Sequence, residues 1–160
     1  MVQLMKDFTL LRTLEALDTE SKYLVHKAKE ATHHAYAPYS RFHVGAAVLL
    51  EDGTVVTGAN QENAAYPSGM CAERVALFSA VAQHPDMVIL KIAVVAKKKN
   101  AKELTPCTSC GPCRQVMLEI ETRQHRKMAV IMHTDEHQWV EAASAAALLP
   151  FAFTKSNLKK

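Results

Sequence analysis

Apolar residues along this chain fall into two kinds of stretch, some spaced by three and four and others nearly unbroken. Between 19 and 36, Tyr23, Leu24, Ala28, Ala31 and Ala35 follow the first spacing, which predicts a helix with one buried face. Asp18-Thr19-Glu20-Ser21 supplies capping residues at its start, and Pro38 stops it. Phe42 and Val44 then alternate with polar positions and lead into a small apolar run, predicting a strand over 41–50. Glu51-Asp52-Gly53-Thr54 reads as a hairpin turn, because Asp-Gly supplies the positive φ that tight hairpins need, and 55–59 is the return strand. A loop bearing Gly and Pro follows, and an apolar run behind Cys71 predicts a helix to about Gln83, ahead of Pro85. Residues 87–96 are almost continuously apolar, as in a strand covered on both faces. A helix over 111–123, a buried strand over 128–132 and an Ala-rich helix over 141–149, ended by Pro150, complete the pattern. The order helix, hairpin, helix, strand, helix, strand, helix predicts an α/β sheet with its last strands parallel and helices on both faces. Residues 1–17 show no clear pattern and are taken as an extension of unknown role to a single domain.

Composition narrows the function classes. At 160 residues, with 49% hydrophobic and 22% charged, the chain has enough apolar content for one folded domain. A net charge of +3 is too small to suggest a nucleic-acid partner, and the runs Lys97-Lys98-Lys99 and Lys159-Lys160 read as solvated ends. No apolar run approaches the ~18 residues of a membrane span, and the first 18 residues lack the features of a signal peptide. Three of the four cysteines fall in Cys107-Thr108-Ser109-Cys110-Gly111-Pro112-Cys113, a poor disulfide framework. In a reducing compartment such a cluster is metal-binding or catalytic, so a soluble cytoplasmic protein is expected.

The chemistry gathers at two stretches, Ser68-Gly69-Met70-Cys71-Ala72-Glu73-Arg74 and the cysteine cluster, each running into an apolar segment. Zinc prefers thiolate and imidazole, and a catalytic zinc keeps three protein ligands with a fourth position free for water. Cys110 and Cys113 at C-x-x-C spacing, with Cys71 as a third thiol at a helix start, form such a set. Glu73, two residues from Cys71, is then placed to carry protons as a general acid and base. Three thiolates on one Zn²⁺ leave a net negative charge, which Arg74 and Arg114 are positioned to offset by hydrogen bonds to sulfur. Spacing alone leaves alternatives open: Cys107-x-x-Cys110 fits equally well, a site using all four cysteines is closed and structural, and a dithiol redox pair is a third arrangement.

Five motifs in order resemble the cytidine deaminase family, the small zinc-dependent, homotetrameric nucleoside deaminases. They are Ala37-Pro38-Tyr39-Ser40-Arg41-Phe42-His43-Val44-Gly45-Ala46-Ala47, Gly58-Ala59-Asn60-Gln61-Glu62-Asn63-Ala64-Ala65-Tyr66-Pro67, Cys71-Ala72-Glu73-Arg74, Cys110-Gly111-Pro112-Cys113-Arg114-Gln115-Val116 and Leu148-Leu149-Pro150. The resemblance covers about 22–154 and implies a three-layer α/β/α sandwich with a mixed five-stranded sheet. It implies one Zn²⁺ per subunit on Cys71, Cys110 and Cys113, with Glu73 as the proton shuttle in deaminating cytidine and 2′-deoxycytidine. It further implies that Asn60 and Glu62 bind the ribose hydroxyls, that Phe42 walls the base, and that the Ala72 amide contacts the pyrimidine carbonyl. Tyr66 and Phe153 match residues that reach a site shared between subunits. A nucleoside-sized pocket, with no nucleic-acid polymer and no membrane, completes the expectation. One position departs from the family pattern: Ser109 stands where Pro usually precedes the second zinc cysteine. The alternatives are a deaminase of another aminopyrimidine nucleoside, and a non-catalytic protein with a closed four-cysteine zinc.

Overall fold

The computed structural model describes residues 4–134 and 138–158. Its strands are β1 (Phe8–Leu11), β2 (Phe42–Leu50), β3 (Val55–Ala59), β4 (Ile89–Lys98), β5 (Ala129–His133) and β6 (Trp139–Ala142), and its α-helices are α1 (Thr19–Ala31), α2 (Ala72–Gln83) and α3 (Gly111–Gln124). Among the described residues they make one six-stranded sheet in the order β1-β6-β5-β4-β2-β3. Only β4 and β5 pair in parallel, with α3 crossing between them, and the other neighbours are antiparallel. This is the expected mixed sheet between helical layers.

Alternation along the strands sorts side chains into two cores. Ala47, Leu49, Ala93, Val95 and Ile131 pack with Leu24, Val25 and Ala28 of α1 on one face. Ala46, Val48, Ile92, Val94 and Val130 pack on the other with Ala76 and Leu77 of α2 and Met117 and Ile120 of α3. Two glycines let the helices approach this closely. A Cβ at Gly45 would strike the Ala28 carbonyl of α1, and a Cβ at Gly58 would lie 2.6 Å from the Ala72 carbonyl and against the Ala76 amide of α2. Gly58 thereby presses the start of α2, where the chemistry sits, onto the sheet.

Four expectations change. The first helix ends at Ala31, not near 36, because the Thr32 hydroxyl donates back to the Lys29 carbonyl (2.7 Å) and a 3-10 turn, Thr32–His34, follows. Tyr36 is already in extended backbone, donating its N–H to the Asn60 carbonyl (2.9 Å). The expected helix over 141–149 is strand β6 and then a 3-10 turn, Ala146–Leu148. Alanine's helix preference is worth only a fraction of a kcal/mol per residue. Here it loses to strand pairing on both sides of β6, with Val130 opposite Ala142 and Phe8 opposite Ala142. The sheet has six strands where five were expected, and the additional strand, β1, comes from the segment taken as an unassigned extension. Finally, Lys97 and Lys98 belong to the end of β4, opposite His43 and Phe42. Lys159 and Lys160 lie outside the described residues.

Candidate active site

Two helix starts meet at one place. Cys71 is the N-cap of α2 and Cys110 the N-cap of α3, both with extended backbone and neither using its side chain to cap the helix. Their sulfurs lie 3.9 Å apart, and with Cys113, in the first turn of α3, they form a group within 4.8 Å of one another. Pro112 fits the first turn, where no N–H is needed. The loop that delivers Cys110 is anchored when the Cys107 N–H donates to the His133 carbonyl at the end of β5 (2.7 Å).

The separation suits a metal. Tetrahedral zinc with Zn–S bonds of about 2.3 Å places its sulfurs roughly 3.8 Å apart. Acidity suits it as well. The Cys71 thiol is pulled down to about 5, chiefly by a hydrogen bond from Cys113, against the effect of burial and with help from Arg74 and Cys110. Cys113, the donor to Cys71 and itself buried, is pushed up. The two directions describe one shared proton: the first thiol ionises easily, and the next resists until a cation offsets the charge. Cys107 stands outside this group. Burial, then the charges of Glu73, Cys71 and Cys110, push its thiol up to about 12. The group of mutually close thiols comprises Cys71, Cys110 and Cys113 without Cys107, so the four-cysteine arrangement lacks its fourth member.

Glu73 is only 4% exposed, yet it lines the wall of a cleft of about 740 Å³ together with Cys71, Arg74 and Cys110. Its Oε1 accepts a hydrogen bond from the Ser109 hydroxyl at 2.7 Å. Burial raises its carboxyl above the usual glutamate range, and the Ser109 bond opposes the rise without cancelling it. Arg74 donates toward the Cys71 sulfur (3.7 Å), as expected. Arg114 does not reach a sulfur; its Nε donates to the Ser109 carbonyl at 2.8 Å.

The other expected residues divide. Asn60, Glu62, Tyr66 and Ala72 line the cleft. Asn60 is clipped between strand groups, accepting from the Val44 N–H (2.8 Å) and donating to the Phe42 carbonyl (2.9 Å), which fixes the amide but leaves its second N–H and lone pair. Glu62 Oε2 accepts the N–H groups of Tyr39 (3.0 Å) and Ser40 (3.3 Å). The Ser40 side-chain hydrogen bond, ahead of the opposing effect of burial, holds its carboxyl below the usual range. Tyr66, 77% exposed, leans edge-on against Tyr39 with ring centres 6.1 Å apart. Phe42 is not among the cleft residues; Val44, two positions on and on the same strand face, is. Phe153 is also absent from the wall, 58% exposed, with its carbonyl accepting from Gln115 (2.8 Å). Sequence reading missed the Ser109–Glu73 bond: the missing proline was visible, but a partner 36 positions away in the chain was not.

The family model for the cytidine and deoxycytidylate deaminase zinc-binding region matches residues 18–143. The chain belongs to this family. Cytidine deaminase of Halalkalibacterium halodurans is 40% identical over 139 residues, covering 87% of this chain and 98% of that one. The cytidine deaminase of Sporosarcina psychrophila is 42% identical over 135 residues, covering 84% and 92%. Among solved structures, cytidine deaminase from Burkholderia pseudomallei superposes with a TM-score of 0.68 at 41% identity, covering 82% of this chain and 97% of that one. The enzyme from Mycobacterium tuberculosis does so at 0.67 and 33% identity, covering 86% and 99%. The family's zinc-binding region and the three-thiol group agree on one zinc ion. Strand β1 precedes the matched span. Among the described residues no helix is long and apolar enough to cross a membrane.

Proposed function

We propose that this chain hydrolyses cytidine and 2′-deoxycytidine to uridine and 2′-deoxyuridine with release of ammonia, as a hydrolase of a C–N bond in a cyclic amidine. The observation that carries this reading is a buried carboxylate, Glu73, on the wall of a nucleoside-sized cleft beside three clustered thiols. Cys71, Cys110 and Cys113 are the ligands of one zinc. Bound there, zinc supplies the Lewis acidity that makes water a nucleophile near neutral pH.

The protein's own groups do the remainder. Water adds to the ring carbon that bears the amine. Glu73 accepts a proton from that water and returns it to the adjacent ring nitrogen. A second proton from the added oxygen moves through the same carboxylate to the amine, the C–N bond breaks, and the ring carbonyl of the product forms. Burial, which already favours the protonated carboxyl, suits Glu73 to alternate between its two forms. The Ala72 N–H, in the first turn of α2, is a helix-start donor suited to the pyrimidine carbonyl. Asn60, held rigid by β2, and Glu62, with Oε2 already engaged and Oε1 remaining, take the ribose hydroxyls. Arg74 offsets charge on the sulfurs, and Arg114 acts instead through the loop that carries Cys110.

Val44 contributes the apolar wall directly, and Phe42 continues the same strand face. Tyr66 and Phe153 are both exposed in the single subunit. We read them as residues that meet a neighbouring subunit's site in a homotetramer. The free thiols require a reducing compartment, which supports work in the cytoplasm. A panel of cytidine, 2′-deoxycytidine and base-modified aminopyrimidine nucleosides, followed by ultraviolet absorbance, tests the substrate assignment. Turnover of the first two is expected, and exclusive turnover of a modified nucleoside would overturn it.

A further inference from the structure

Arg41 is one of three described residues other than glycine with a positive φ, here 57°. It stands where the turn ahead of β2 becomes the strand. Its N–H donates to the Ala37 carbonyl (3.1 Å), closing a single helical turn, and its carbonyl accepts the Lys99 N–H just beyond β4 (2.9 Å). Within that turn the N–H groups of Tyr39 and Ser40 both point to Glu62 Oε2, at 3.0 and 3.3 Å. Glu62 is held from its main chain as well, its own N–H donating to the Tyr36 carbonyl (2.8 Å). Tyr39, Ser40 and Glu62 line the cleft, and Arg41 does not. Arg41 is exposed, and among the described residues its guanidinium makes no ion pair or hydrogen bond.

Resting on the reading of Glu62 as a ribose-binding carboxylate, we propose that Arg41 is a positioning residue for the substrate, acting through its left-handed backbone and not through its charge. The left-handed φ lets the chain leave the turn within one residue, so that the Arg41 N–H closes on Ala37 while its carbonyl already faces the end of β4. With an ordinary negative φ those two bonds compete. The turn then opens, and the Tyr39 and Ser40 N–H groups no longer converge on one oxygen. Glu62 Oε1, the oxygen left for the ribose, would lose its fixed direction with them. L-residues enter the left-handed region at a cost that is absent for Gly, small for Asn and largest for β-branched side chains. The bonds around Arg41 outweigh that cost for an unbranched side chain.

The test measures cytidine kinetics, bound zinc and melting temperature for wild type, Arg41→Gly, Arg41→Asn and Arg41→Val, all zinc-loaded. As competitive inhibitor it uses 2′,3′-dideoxycytidine, which lacks both ribose hydroxyls. Arg41→Val is expected to raise KM for cytidine about 5- to 30-fold, the left-handed penalty expressed as affinity, with kcat and zinc within about threefold. Its Ki for dideoxycytidine should stay within about twofold of wild type, because the misplaced oxygen has no hydroxyl to meet. Arg41→Gly and Arg41→Asn lose the guanidinium but keep the turn, so both should hold wild-type KM within about twofold. A wild-type KM in Arg41→Val with a lowered melting temperature makes the turn structural alone and overturns the proposal. Equal weakening of cytidine and dideoxycytidine overturns it too. A KM raised alike in Arg41→Gly and Arg41→Asn assigns the role to the guanidinium and overturns it even where Arg41→Val does not fold. A wild type that takes dideoxycytidine as tightly as cytidine overturns the ribose reading of Glu62, and this proposal with it.

Discussion

Glu121 and Glu73 are both buried glutamates, one on α3 and the other on α2, and they differ in what meets their oxygens. The Glu121 carboxylate is surrounded by backbone donors: Oε2 accepts the N–H groups of Met128 (2.9 Å) and Ala145 (2.7 Å), and Oε1 that of Ala146 (3.3 Å). Those three amides belong to the entrance of β5 and the turn after β6, so one side chain ties the ends of two strands to a helix. Glu73 takes the Ser109 hydroxyl on Oε1, has its own backbone N–H and the Cys113 thiol as lesser partners, and lines the cleft. A satisfied carboxylate holds structure and has no oxygen left for chemistry. A carboxylate whose hydrogen bonds do not offset its burial is raised in pKa, destabilises the fold if ionised, and is ready to exchange protons.

The largest effect expected is on Glu73. Glu73→Gln should retain zinc and lower kcat at least about 10²- to 10⁴-fold, the range for a lost general acid and base. Its melting temperature should equal or exceed that of wild type, because the amide removes a charge that burial penalises. In metal-free protein the sign is definite. The folded carboxyl holds its proton above the ordinary value of 4.5, so stability falls as pH rises through the interval between the two, and the Gln variant lacks that slope. A denaturant titration against pH measures it.

Glu121→Ala should do the reverse, costing about 3–5 kcal/mol of stability by stranding three amides, while turnover per folded molecule changes less than about twofold. Urea unfolding with parallel assays at low temperature measures both. Gly58→Ala is expected to break the separation between the two glutamates. Its Cβ meets the Ala72 carbonyl at 2.6 Å, on the residue between Cys71 and Glu73, so about 1–3 kcal/mol of stability and much of the activity should go together. The smallest effect belongs to a half-exposed carboxylate, Asp18, which caps α1 and meets Lys91. Burial alone would raise it, but hydrogen bonds from Ser21 and Lys91 outweigh that and hold it below 3.8. Its contribution is present above the unfolded value and lost as pH falls through the folded one. Asp18→Asn should cost less than about 1 kcal/mol at neutral pH and nothing in strong acid, by thermal melts across that range.

Cys71, Glu73, Cys110 and Cys113 were readable in the sequence because their spacing is local and their residue types are chemically narrow. The central strands were readable because they are buried on both faces and long. The partner of Ser109 and the three amides of Glu121 are contacts across elements, which no period along the chain records. The Ala-rich segment misled because its weak helix preference yields to pairing of Ala142 with β1 and β5 and to Glu121, which takes the Ala145 and Ala146 N–H groups of the turn that follows. For Phe42 the motif names a strand face, and on that face the single subunit sets Val44 against the cleft.

The most direct test of nucleoside deamination at an open three-thiol centre is a zinc titration. Metal-free protein is given zinc in steps while bound metal and cytidine turnover are measured on the same samples. Turnover should rise in proportion to bound zinc and level off at one ion per subunit. Full zinc occupancy with no turnover, or turnover that persists without zinc, would contradict it.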